Sequence, residues 1–178
     1  MFDRIPVERS SSVDGAAVAL LRYDEASRPF VTAAKQRGAW ASFAVLGPLM
    51  AERLSLALGP GALSESVVVT WAPTTRERRR RHGFDHAQLL ARRVAGALGL
   101  RCVPLLRRVG QGRQEGRSAA ERRRGPGFAP IGRIPRTVVL VDDVLTTGAT
   151  LRAGSAALAD GGAHVVHRLV LARAPLRT

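Results

Sequence analysis

Cysteine is almost absent from this chain: of 178 residues, only Cys102 carries a thiol. That excludes an internal disulfide and a zinc site built on cysteines. Cys102 stands in the apolar stretch LRCVPLL, where a small buried hydrophobe is the expected role. Lysine is equally scarce, Lys35 being the only one, although 28 basic residues face 14 acidic ones for a net charge of +14. The positive charge is therefore arginine, whose planar fork suits phosphate; a GC-rich coding bias would write the same composition, and both origins stand. Aromatics number five Phe, two Trp and one Tyr, and they do not alternate with the arginines as a base-stacking platform requires. Long apolar runs are missing as well. Ala16 to Leu21 is too short for a signal-peptide core and ends at Arg22, and nothing approaches a membrane span, so a cytoplasmic protein without membrane contact is expected. Neither GxxxxGK[ST] nor GxGxxG occurs, which removes the Walker and dinucleotide-binding loops.

What is present has the pattern of an α/β protein. The length fits one domain over 1–178, with 46% hydrophobic residues and a low-pattern segment at 1–15 expected to be flexible. Ser27 followed by Pro29 reads as a helix start. Trp40, Phe43, Gly47, Met50, Leu54 and Ala57 recur every three or four residues, predicting a helix that Gly59-Pro60-Gly61 ends. Val67 to Ala72 reads as a buried strand running into Pro73-Thr74-Thr75 and the charge run RERRRRHG. Asp85 and Gln88 have capping-box spacing before a helix with Leu89, Leu90, Val94, Ala97 and Leu98 on one side, stopped by Gly99. Cys102 to Leu106 is a second short strand. From Arg107 to Arg136 no period is sustained, and 107–136 is expected to be a mobile loop region. Thr137 to Val144 is the clearest strand, Leu151 to Asp160 a helix, and His164 to Ala172 a last strand. That alternation predicts a mostly parallel central sheet flanked by helices.

The chemistry concentrates in VVLVDDVLTTGAT, Val138 to Thr150. Asp142 and Asp143 end an apolar strand, and carboxylates there are costly unless they meet a cation, a hydroxyl or a backbone donor. Ligands of open parallel sheets sit beyond the strand carboxyl ends, where these two stand. The next turn leads into a helix whose first N–H groups are unpaired and whose dipole is positive. Gly148 lets the backbone approach an anion, and Thr146, Thr147 and Thr150 add hydroxyls, making a phosphate cradle. A cradle flanked by two acids suits a phosphate beside vicinal hydroxyls, a ribose 5-phosphate. Charge-assisted bonds contribute roughly 1.5–3 kcal/mol each, so about four or five suffice for micromolar binding. The plainer reading, a capped turn with turn-forming threonines, would need only one aspartate.

This stretch resembles the phosphoribosyl-pyrophosphate (PRPP) motif of type I phosphoribosyltransferases. RRRRHGFDHAQLLAR, LLRRVGQGRQEGRSAAERRRG and AAKQRGAWASFAVLGPLMAERL resemble further segments of their ComF/GntX-like branch, over roughly residues 16–172. The cysteine-rich zinc-finger segment with which such proteins often begin is lacking. The family's PVP strand exit is Trp71-Ala72-Pro73 here, its RGFN is His82-Gly83-Phe84-Asp85, and the asparagine after its arginine run is Gly125. The resemblance implies a phosphoribosyltransferase-like fold with a small N-terminal hood. It further implies transfer of a phosphoribosyl group with release of pyrophosphate to an unassigned acceptor, a nucleobase being one candidate.

On that resemblance Asp142 and Asp143 are the catalytic pair holding the ribose hydroxyls, within a PRPP-binding set of Val141 to Asp143 and Leu145, Thr146, Thr147, Gly148, Ala149 and Thr150. Ala72, Pro73, Thr74, Thr75 and Arg76 form the candidate pyrophosphate loop, with the arginines at 78–81 beside it. Gln114, Arg117, Ser118 and Arg122 would contact ligand from the mobile loop. Mg²⁺ is implied through PRPP oxygens and water, with Asp142 and Asp143 as its only protein candidates. The alternative is a non-catalytic sensor of PRPP or nucleotide, or a single-stranded-DNA-binding accessory of competence and DNA uptake that uses the basic surface. A homodimer is left open. The four histidines form no triad: His82 and His86 bracket a helix start, and His164 and His167 lie on the last strand.

Overall fold

A computed structural model describes residues 17–25, 27–28, 40–109 and 127–174. The elements run in the order β1 (Val18–Arg22), α1 (Trp40–Leu58), β2 (Val68–Trp71), α2 (Arg76–His82), α3 (His86–Leu98) and β3 (Arg101–Cys102). They continue with β4 (Leu106–Val109), β5 (Gly127–Pro130), β6 (Thr137–Leu145), α4 (Ala149–Asp160) and β7 (Val165–Arg173). Five strands form one sheet in the order β1-β7-β6-β2-β3, and every pairing in it is parallel. β4 and β5 make a separate antiparallel pair.

The central strand β6 explains the layering. Successive strand residues face opposite ways, so Val139 and Val141 enter one core with Phe43, Met50 and Leu54 of α1 and Leu90 and Val94 of α3. Val138 and Leu140 enter the other core, against Leu151, Ala157 and Leu158 of α4. All four of these β6 side chains are fully buried. A strand covered on both faces reads as an unbroken apolar run, which is why VVLV was so legible. α1 approaches α3 closely enough that a Cβ at Gly47 would run into Arg93 Cβ. Among the described residues no helix is long and apolar enough to cross a membrane.

Several expectations need correction. β1 went unrecognised: five residues of VALLR show no alternation, and only pairing with β7 holds them extended (Val18↔Leu169, Leu21↔Ala172). The arginine run is a helix, α2. Thr75 Oγ1 caps it by accepting from Arg78 N (3.1 Å), and Gly83 closes it at φ 84°. The strand expected over Cys102 to Leu106 is two strands in different sheets, divided at Pro104. The segment 107–136 is not loop throughout: it holds most of β4 and all of β5, paired Leu106↔Pro130 to Val109↔Gly127. On α3 the buried stripe is Ala87, Leu90, Ala91, Val94 and Ala95, while Ala97 is exposed. β6 extends to Leu145 because pairing with β7 continues to Leu145↔Arg173. The 1–15 segment expected to be flexible, the helix interior after Pro29 and much of the expected hood fall outside the described residues.

Candidate functional site

β2 and β6 are neighbours that end at different heights. Their pairing stops at Trp71↔Val141, and Ala72 N donates to Val141 O (3.0 Å). Beyond that point β6 continues through Asp142 to Leu145, flanked by β7 on one side only. The chain also switches direction here, since β3 lies to one side of β2 and β6 to the other. Such a switch opens a crevice at the strand carboxyl ends. A cavity of about 750 Å³ fills it, lined by Ala72 to Thr75, by Asp142 to Val144 and by Thr146 and Thr150.

Asp142 and Asp143 thus sit on the overhang of β6. Asp143 N donates to Asp142 Oδ1 (2.8 Å) and Val144 N to Asp143 Oδ1 (2.7 Å), so each carboxylate is steadied by the following amide. Burial pushes the Asp142 carboxyl up to about 8, and the negative charge of Asp143 adds to the rise. Donors or a cation would relieve this pair of like charges.

Next to them lies a smaller hollow of about 20 Å³, lined by Asp142 and by Val144 through Leu151. It sits at the start of α4, where Gly148 is the N-cap and brings no side-chain cap. Thr147 Oγ1 makes a long contact to Ala149 N (3.4 Å), and Arg152 reaches back to Thr147 O (2.7 Å). Gly148 holds φ 73°, and a Cβ there would lie 2.9 Å from Arg152 Nη1. Left-handed backbone beside a helix N-terminus forms a concavity of amides suited to an anion.

The opposite wall is the loop after β2. Thr74 N donates to Asp85 Oδ2 (2.9 Å), and Pro73 O accepts from Arg108 Nη1 (3.1 Å). Arg108, on β4, lies over the Phe128 ring of β5 at 5.5 Å from its centroid, and its Nε is buried with no hydrogen-bond partner. Burial lowers the Arg108 pKa and the charge of Arg78 lowers it further, against the opposing pull of Asp142 and Asp85. Arg78 and Arg81 line the cavity, whereas Arg76 is exposed and does not.

Most of the residues expected at the site are therefore neighbours. Ala72 to Thr75, Asp142, Asp143, Thr146 and Thr150 share the large cavity, and Leu145, Thr147, Gly148 and Ala149 line the small hollow. Val141 is buried in the strand below. Gln114, Arg117, Ser118 and Arg122 lie outside the described residues. Sequence reading missed Tyr23, Asp85, His86 and Arg108 as cavity-lining residues. Asp85 was visible as a cap. Arg108 carried no local signal, since only the β4–β5 pairing brings it to Pro73. Among the described residues no group of three or more His, Cys, Asp or Glu could hold a metal ion.

The family model for the phosphoribosyl transferase domain matches residues 88–178, just over half of the chain. Among solved structures, the chain is similar to one described as the allosteric regulatory enzyme of purine biosynthesis, at 24% identity and a TM-score of 0.48. That similarity covers 74% of this chain and 26% of the other, so the chain spans about a quarter of the length of that protein. No curated protein matches.

Proposed function

Because this chain belongs to the phosphoribosyl transferase domain family, we propose that it binds PRPP in the crevice between β2 and β6 and transfers the phosphoribosyl group to an acceptor. The observation that carries this reading is the junction of two unlike compartments: a small hollow at an uncapped helix start opens beside a carboxylate pair on the wall of a larger cavity. A 5-phosphate can seat at the mouth of the hollow against the first α4 amides, ribose hydroxyls suit the carboxylates, and the larger cavity has room for pyrophosphate and acceptor.

In the transfer, an acceptor nitrogen bonds to the anomeric carbon while the bond to pyrophosphate oxygen breaks and its electron pair leaves with pyrophosphate. The acceptor's proton passes to solvent. Positive charge grows on the ribose and negative charge on the leaving group, so the protein's contribution is positioning and electrostatics. Asp142 and Asp143 accept from the ribose hydroxyls, which supply the donors that two crowded carboxylates lack. The α4 amides and the hydroxyls of Thr146, Thr147 and Thr150 fix the phosphate. Thr74 and Thr75 with Arg78, Arg81 and Arg108 form the cationic end that receives pyrophosphate. Two adjacent aspartates make a partial donor set, which fits an ion held mainly by substrate oxygens and water. Bound Mg²⁺ would add neutralising charge at the pyrophosphate, with Asp142 and Asp143 as its protein neighbours.

On this reading the chain is a single domain of the ComF-like branch, a reading supported by the segments quoted above. The acceptor is a small nucleophile, a nucleobase being the first candidate. The test is a melting curve with PRPP and Mg²⁺, followed by pyrophosphate release across a panel of bases. A parent protein with no shift at millimolar PRPP would sink the proposal. A shift without release would favour a sensor of PRPP. A second reading, a nucleic-acid accessory, is favoured by one observation: Arg76, Arg79 and Arg80 of α2 are exposed and outside the cavity lining. Single-stranded DNA binding with a steep salt slope would support it.

A further inference from the structure

Asp85 performs two tasks with one carboxylate. Its Oδ1 accepts from Ala87 N (3.1 Å) and Gln88 N (3.4 Å), which starts α3. Its Oδ2 accepts from Thr74 N (2.9 Å), in the loop after β2. The residue is only 6% exposed. A helix cap needs a single acceptor, and asparagine or serine supplies one as well as aspartate does. A buried carboxylate is costlier than either. Burial indeed raises the Asp85 pKa, against three opposing backbone hydrogen bonds. What aspartate adds over asparagine is the second acceptor, and that oxygen is spent on Thr74. The amide nitrogen of an asparagine in the same pose would face the Thr74 N–H, donor against donor.

We propose that Asp85 is a positioning residue for the loop Ala72 to Thr75, fastening it to the start of α3 so that the pyrophosphate end of the ligand meets a preordered wall. The inference rests on the phosphoribosyl reading of the site. Two effects oppose each other here. A preordered loop spares the ligand the cost of ordering it, while a carboxylate near a diphosphate repels it. The tie dominates because the Asp85 charge is already met by three N–H donors and offset by the positive charge of Arg108 on the same wall.

The experiment is calorimetric titration of the full chain with magnesium pyrophosphate and, separately, with ribose 5-phosphate, for the parent, Asp85→Asn and Asp85→Ser. Both variants keep a helix cap and lose the Thr74 tie. Pyrophosphate should bind about fivefold or more weakly to each, with ribose 5-phosphate held within about twofold. Equal or tighter pyrophosphate binding by either folded variant overturns the inference, and so does equal weakening of both ligands, the signature of a merely structural cap. Should Asp85→Asn fail to fold, Asp85→Ser carries the same comparison. A parent that binds neither ligand overturns the phosphoribosyl reading and this inference together. A parent that binds both, beside variants that match it, overturns the inference alone.

Discussion

The two walls of the cavity solve one problem, anion binding beside a sheet, in opposite ways. After β6 the chain leaves its backbone available: the N-cap of α4 is a glycine without a side-chain cap, and the turn is threonine and glycine. After β2 several backbone groups are already engaged. Thr74 N goes to Asp85, Pro73 O to Arg108 and Arg78 N to the Thr75 hydroxyl. That wall can offer a ligand mainly side chains, and those lining it include Arg78, Arg81 and Arg108. Backbone donors are fixed in direction and select a phosphate of one size. Long cationic side chains adapt, and they tolerate a group that must leave.

The sharpest break of this contrast is to neutralise the β6 wall. Asp142→Asn with Asp143→Asn should weaken PRPP binding by on the order of a hundredfold or more, abolishing the thermal shift, since each carboxyl facing the ribose hydroxyls becomes an amide with a donor in place of one acceptor. Gly148→Val comes next. It strains a left-handed position and fills the hollow, so ribose 5-phosphate should bind about tenfold or more weakly by calorimetry, with pyrophosphate far less affected. Arg108→Met tests the other wall while keeping a stem over Phe128; pyrophosphate affinity should fall about three- to tenfold and ribose 5-phosphate affinity should hold.

The smallest effect is on stability. Burial and the neighbouring Asp143 charge hold the Asp142 pKa well above its ordinary 3.8, so above pH 3.8 the folded state holds the proton more tightly than the unfolded one. Stability attributable to this group is therefore greatest at low pH and declines as pH rises from there toward the raised value. The melting temperature of Asp142→Asn, compared with the parent's, should rise progressively from about pH 4 to about pH 8. A constant offset across that range would show that Asp142 carries no such strain.

The two walls also differ in how readable they were. The β6 wall is one continuous stretch, Val138 to Thr150, in which a doubly buried strand, two acids and a glycine-threonine turn appear in order. Local pattern sufficed, because every participant lies within 13 residues. The β2 wall draws on Thr74, Asp85 and Arg108, which three separate elements bring together. α2 has no apolar face for a pattern to reveal, and its cap is a threonine that reads equally well as a turn. β4 became a strand only through pairing with β5 across 17 intervening residues. β1 shows the same limit in the sheet itself, since VALLR is extended because β7 is beside it. The fold class and one half of the site were legible because they are local; the other half is a product of long-range contact.

The overhang of β6 past β2 gives one strand two lifetimes. Val138 to Val141 are paired on both sides, with β2 and with β7, whereas Asp142 to Leu145 keep only the β7 side. The amides of Asp143 and Val144 rest on neighbouring carboxylate oxygens. Within nine consecutive residues, amide hydrogen exchange should therefore pass from opening that requires disruption of the whole sheet to opening that requires only a side-chain rotation. The part of the strand able to change without unfolding anything else is the part that faces the cavity.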